Sequence, residues 1–189
     1  MSEIIEIIKM RRSVRSYKNQ TVSEEVIRKI IECGCYAPSG MNRQPWRFIV
    51  VLDPGVREVL RQRSMLYAST NLEKLKDKIP ERYNIIKERF ETLHDPIYYN
   101  APVIIFIIGL GEYAEISCAL AAENLMLAAK SLSLGTCWVA FGGLIDNDEA
   151  SRKMLGLKED EHIVAPIVVG YEEGTTPVPP RKKTNISWI

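Results

Sequence analysis

The run Val103-Ile104-Ile105-Phe106-Ile107-Ile108 constrains this chain more than any other stretch. Five of its six residues are β-branched, which favours extended backbone, and none offers water a polar face. Such a strand belongs inside a sheet that is covered on both sides. A second stretch, residues 115–134, reads as a long helix that is apolar on more than one side. It too must be buried, in the core or against another subunit. Glu123 and Asn124 interrupt it, and residues 101–110 are too few to cross a bilayer, so neither is expected to span a membrane.

The other elements fall around these two. A short apolar helix carries Ile4, Ile5, Ile7 and Ile8 into a basic run. A second helix starts near residues 21–23, where Thr21 with Glu24 fits a capping box and Ser23 is followed by Glu24 and Glu25. It must stop by Ala37, because Pro38 disfavours helical backbone before it. Residues 48–52 form a strand ended by Asp53-Pro54-Gly55. Residues 56–94 look helical and polar, broken at Pro80. Strands are expected at 136–141 and 163–171, with a short helix at 147–155 closed by Gly156. The tail, residues 175–189, is rich in Pro and Lys and ends on Ile186, Trp188 and Ile189, a sequence suited to docking on something.

With 189 residues, the chain can bury a full core as one domain, 1–189. Twenty-five basic and 24 acidic residues leave a net charge of +1, which argues against a protein devoted to nucleic acid. Its positive charge is local, as for a single anionic ligand. Glu3 and Glu6 interrupt the first apolar stretch and no cleavage site follows, so no signal peptide is expected. Cys33, Cys35, Cys118 and Cys137 lack zinc-type spacing and are expected as reduced thiols of a cytoplasmic protein. No His, Asp, Glu and Cys spacing suggests a metal.

Three polar constellations stand out. Arg11, Arg12 and Arg15, with Ser13 among them, offer fork-shaped donors that match phosphate oxygens. Basic residues at a helix C-terminus are equally what the helix dipole favours. In residues 38–46, Pro38 and Pro45 restrict the backbone and Gly40 permits positive φ. There Ser39, Asn42 and Gln44 carry donor and acceptor groups suited to the edge of a heteroaromatic ring. A plain helix-to-strand connection, with Trp46 in the core, accounts for the same residues. Arg181-Lys182-Lys183 is a solvated tail unless it folds back to the first cluster. No acid–base pair or nucleophile motif is present, a pattern that fits a cofactor carrying the chemistry.

In order and spacing, these motifs resemble the FMN-dependent nitroreductase family. The resemblance rests on Arg-Arg-Ser-Val-Arg-x-Tyr at 11–17 and Ala-Pro-Ser-Gly-x-Asn-x-Gln-Pro-Trp at 37–46. It continues through Ala-Glu-Asn-Leu-Met-Leu-Ala-Ala at 122–129 and Gly135-Thr136-Cys137-Trp138. Gly170-Tyr171 and the Pro-x-Arg-Lys at 179–182 complete it.

The resemblance implies an α+β, three-layer fold, a central mixed β-sheet flanked by helices, and an intertwined homodimer with FMN at the subunit interface. The C-terminal segment would extend onto the partner. Arg11 and Arg181 would hold the FMN phosphate, with Arg12 and Ser13 adding contacts to phosphate or ribityl. Arg15 would lie near the pyrimidine edge of the flavin and favour its reduced form. Pro38, Ser39, Gly40, Asn42 and Gln44 would serve the partner's flavin. The backbone of Cys137, Trp138, Val139 and Ala140 would lie against the ring, with an amide near Val139 aimed at N5. Family members often carry Glu where Val139 stands, and an Asn-x-x-Lys pair that has no placed counterpart in 56–100.

The expected function is therefore hydride transfer from NADH or NADPH to a nitroaromatic, quinone or similar conjugated small molecule in ping-pong order. No protein side chain is expected to act as a catalytic group. Within the same scaffold, dehydrogenase or dehalogenase chemistry and a non-catalytic flavin sensor or store are the alternatives.

Overall fold

The computed structural model describes residues 3–111 and 113–189. The 103–108 run becomes the heart of strand β2 (Val103–Leu110), and its residues from Val103 to Ile108 are all buried. It lies between β1 (Trp46–Val51) and β4 (Glu161–Gly170), pairing antiparallel with both. Strand β3 (Gly135–Trp138) pairs antiparallel with the other side of β4, giving the order β1-β2-β4-β3. All named strands pair antiparallel, and the parallel component expected of a mixed sheet is confined to an isolated bridge between Ser13 and Thr136.

Alternate residues of β2 feed two cores, as its period of two requires. Ile104, Phe106 and Ile108 pack on one face with Leu60, Ala68, Tyr98, Ile145 and Val168. Val103, Ile105 and Ile107 pack on the other with Ile27, Ile30, Cys118, Ala122, Leu125 and Ala129. The first core is roofed by α3 (Pro54–Glu73) and the second by α2 (Glu24–Cys35) and α5 (Ala114–Ser131). Two helical layers thus enclose the sheet, and each large apolar side chain fully buried in it contributes about 1.5–3 kcal/mol.

The sequence signals for helix ends are used with small shifts. Ser23 caps α2 by accepting from the Val26 N–H, so the serine rather than the Thr21 box fixes that end. Pro80 opens α4 (Pro80–Thr92), where its missing N–H costs nothing. Strand β3 stops at Trp138 rather than residue 141, and a 3-10 helix, Ala140–Asn147, follows before α6 (Glu149–Met154). None of the residues of α1 (Glu3–Met10) is buried, and Ile4, Ile5, Ile8 and Met10 face outward. On α5, Ile116 and Leu120 are also exposed. No helix among the described residues is long and apolar enough to cross a membrane.

Candidate functional site

The arginine segment leaves α1 and runs across the end of the sheet. The Val14 N–H donates to the Thr136 carbonyl at 2.9 Å, and the Lys18 N–H donates to the Tyr171 carbonyl at 2.9 Å. The Glu173 N–H donates back to the Ser16 carbonyl at 3.0 Å, so the start of the tail is stitched to the same segment. Glycine makes this approach possible. A Cβ on Gly135 would lie 2.8–2.9 Å from three carbons of buried Val14, and one on Gly170 would strike Pro102 and Tyr17.

The tail then turns back over the arginines. Arg11, Arg12, Ser13, Arg15 and Ser16 line one side of a groove of about 850 Å³, and residues 173–181, ending in Arg181, line the other. The basic residue near the C-terminus is thus brought to the first cluster.

The three arginines of the segment behave differently. Arg12 donates to the Lys9 and Arg11 carbonyls, both at 2.7 Å, and so caps the C-terminal end of α1 as the dipole argument requires. Arg11 is half-buried and its Nε meets the Glu123 carboxylate of α5 at 3.2 Å. Arg15 is exposed, donates to the Ser13 carbonyl at 3.1 Å, and lies over the Tyr99 ring at 5.9 Å from its centroid.

Beside them sits Cys137, whose thiol is buried on β3. Burial pushes it above the ordinary thiol range, against the opposing pull of Arg15 and a hydrogen bond with Ser13. A neutral, enclosed thiol is a packing group and not a nucleophile. Burial likewise raises Tyr17, whose hydroxyl donates to the Val14 carbonyl at 2.7 Å and braces the turn. Trp138 and Ala140 are exposed, whereas Val139 is buried. The Val139 N–H donates to the Pro166 carbonyl at 2.9 Å, so that amide is already engaged inside the chain. Ala140 opens the 3-10 helix, where the first N–H has no carbonyl of its own helix to meet.

The loop carrying Pro38, Ser39, Gly40, Asn42 and Gln44 stands apart from this groove within one chain. Of these, only Gly40 lines another cavity of about 440 Å³, together with Met41, Arg43, Pro45, Leu110, Tyr113 and Ile116; Pro38, Ser39, Asn42 and Gln44 do not line it. Positive φ falls on Met41, Asn42 and Gln44 (52°, 54° and 48°) and not on Gly40. Local hydrogen bonds hold that strained backbone. Ser39 Oγ accepts from the Gln44 N–H at 3.0 Å, and the Gln44 amide donates to Asn42 Oδ1 at 3.0 Å. Trp46 starts β1 and is half-buried against the α2–α5 core.

Sequence reasoning assigned no role to Glu123 or Glu173, nor to Tyr99 as a partner of Arg15. Glu123 was visible as a charge inside an otherwise apolar helix, and Tyr99 as an aromatic in an unaligned region.

The chain belongs to the nitroreductase family, whose model matches residues 8–171. It is similar to a nitroreductase from Bacteroides fragilis crystallised with bound FMN, with 28% identity, a TM-score of 0.82 and complete coverage of both chains. It is 31% identical over 175 residues to a Methanothermobacter thermautotrophicus protein with the provisional name NADH dehydrogenase/NAD(P)H nitroreductase. That match covers 89% of this chain and 77% of the relative. A third relative is mouse iodotyrosine deiodinase 1, 28% identical over 205 residues, spanning 99% of this chain and 68% of that protein.

Proposed function

We propose that this chain is an FMN-dependent oxidoreductase that takes hydride from NADH or NADPH and reduces a nitroaromatic, quinone or similar conjugated acceptor. One observation carries the reading: the chain bends its tail back so that Arg181 and the Arg11–Arg15 segment face each other across one groove. This donor set suits a phosphate monoester, which needs fixed cations and hydroxyl donors more than a deep apolar cavity. FMN, when bound, supplies the two-electron chemistry. The protein supplies position and charge.

Arg11 and Arg181 would clamp the phosphate, with Ser13 and the exposed edge of Arg12 beside the ribityl chain. Glu123 would orient the Arg11 fork from α5. Arg15 would stand at the pyrimidine edge of the ring, and Ala140 would offer its amide along the ring's other side. Donor and acceptor would use the same open face in turn, the ping-pong order.

The same reading makes the protein a homodimer. The uncovered apolar residues of α1 and α5 support it, as do the open edge of β1 and the groove of about 650 Å³ between β1 and α2. Ile186, Trp188 and Ile189 are exposed at the tail among the described residues, which suits docking on a second copy. The exposed loop around Asn42 would then reach the partner's flavin.

FMN titration by fluorescence quenching tests the phosphate assignment. Arg11→Ala should weaken binding by about 1.5–3 kcal/mol, the scale of a charge-assisted hydrogen bond. Unchanged affinity would remove Arg11 from the site. The likeness to iodotyrosine deiodinase 1 favours a second reading, reductive release of halide from an aromatic ring. Halide release from halogenated phenols, set against nitroaromatic turnover, separates the two.

A further inference from the structure

We propose that Tyr99 is a positioning residue whose ring holds the Arg15 guanidinium at the ring end of the groove. The proposal rests on the reading of that groove as the flavin site. Arg15 Cζ lies 5.9 Å from the Tyr99 ring centroid, inside the range of a cation–π contact. Among the described residues Arg15 has no carboxylate partner; it also donates to the Ser13 carbonyl and lies within hydrogen-bonding reach of the Tyr99 side chain itself. The nature of this partner matters. A carboxylate would fix the guanidinium but cancel its field, whereas an aromatic face fixes it and leaves the positive charge uncompensated.

The backbone around Tyr99 is built to deliver it. Tyr99 and Asn100 both adopt positive φ, 57° and 53°, a conformation that side-chain-bearing residues rarely adopt in succession. Asp95 holds the turn by accepting the N–H groups of Ile97, Tyr98 and Asn100. Tyr98 is locked inside, with its hydroxyl on Ser64 at 2.8 Å and on the Gly142 carbonyl at 3.1 Å. Arg57 holds the Ala101 carbonyl at 2.7 Å. With a fixed residue before it and another behind it, Tyr99 is held half-buried at the margin of the first core, its ring facing Arg15. Strain maintained by this many local bonds is characteristic of a functional position.

The consequence is electrostatic. Uptake of a hydride from NAD(P)H delivers two electrons and one proton, so the bound cofactor gains one negative charge. A cation fixed beside it favours the reduced form over the oxidised one. Holding Arg15 in place should therefore raise the midpoint potential.

The test compares FMN-loaded wild type with Tyr99→Phe and Tyr99→Asn in an anaerobic potential titration against a reference dye. Asn accepts positive φ, so Tyr99→Asn removes the ring without straining the turn. Tyr99→Phe keeps the aromatic face and loses only the hydroxyl contact with Arg15, so its potential should lie closer to wild type than to Tyr99→Asn. Tyr99→Asn should lose about two- to fivefold of the preference for the reduced cofactor, the scale of a partly exposed cation–π contact. Fivefold equals about 20 mV for a two-electron couple. In an Arg15→Ala background, Tyr99→Asn should then shift the potential no further. An unmoved potential in Tyr99→Asn, or an equal shift with Arg15 absent, would overturn the assignment while leaving the flavin site intact. Wild-type protein that takes up no FMN would instead overturn the flavin reading itself.

Discussion

Gly135→Ala places one methyl group where the arginine segment crosses β3. The new carbon would stand 2.8 Å from Val14 Cγ2 and 2.9 Å from its Cβ and Cγ1. The Cβ contact cannot be relieved by rotating a side chain, so the backbone of residues 13–15 has to move away from Thr136. Overpacking of this kind costs about 1–3 kcal/mol, and a clash fixed to backbone belongs in the upper part of that range. In a chain of this size 1 kcal/mol corresponds to about 2–4 °C, so melting should fall by about 5–10 °C. Val14→Ala alone should cost about 2 kcal/mol for its lost buried methyl groups. Because both changes act on one contact, the double variant should be more stable than the sum of the singles implies, by about 1 kcal/mol or more. Thermal denaturation of the four proteins without ligand measures this, and FMN titration reports whether the displaced segment still binds. A Gly135→Ala protein that melts within about 1 °C of wild type, or strict additivity in the double, would refute the account of the groove.

Other consequences are independent of that contact. Glu161 is buried and accepts the Arg47 guanidinium fork at 2.9 and 2.5 Å, which holds its carboxyl below the ordinary range despite the opposing cost of burial. Its contribution is therefore complete above about pH 4.3 and is lost as pH falls through the lower folded value. Glu161→Gln should flatten the acid limb of the stability curve, measured by urea melts across that window. Arg47→Met leaves a buried carboxylate unpaired and should cost about 2–4 kcal/mol, discounted from the fully buried case because Arg47 is partly exposed. Tyr98→Phe should cost about 1–3 kcal/mol, since it strands Ser64 Oγ and the Gly142 carbonyl, and chemical denaturation would show it. Under the proposed homodimer, deleting residues 184–189 should shift sedimentation towards monomer with little change in the folding of each subunit; sedimentation unaltered by the deletion would exclude the tail from the interface.

How much of this was legible in the sequence depended on the range of the interactions. Residues 103–108 declared a strand buried on both faces because apolarity without alternation has no other solution in a soluble sheet, and the structure divides those side chains between two cores. Ser23 marked a helix start because capping is local, and Pro80 marked a break in the helical 56–94 stretch because proline lacks an N–H to donate. The extent of β3 was not legible, because residues 139–141 are as apolar as a strand, yet the chain leaves β4 after the Val139–Pro166 bond and Ala140 opens a 3-10 helix. Gly40 was the residue that permits positive φ most readily, yet positive φ falls on Met41, Asn42 and Gln44, in a loop that side-chain hydrogen bonds hold.

The arginine cluster showed the same division. Phosphate grip and helix capping were competing readings of one motif; Arg12 donates to carbonyls at the end of α1, while Arg11, Arg12 and Arg15 all line the groove in which the phosphate is proposed to sit. The return of Arg181 could not be read locally, since it depends on Glu173 pairing with Ser16 far along the chain. Tyr99 could not be chosen among the aromatics of its region, because its direction is set by the Asp95 turn and by where Tyr98 is buried.

The most direct test of the central claim is an anaerobic titration of the FMN-loaded protein with NADH and, separately, NADPH. The account predicts that one of them bleaches the oxidised flavin absorbance stoichiometrically, and that a nitroaromatic or quinone then restores it. Flavin that stays oxidised with both donors would contradict it.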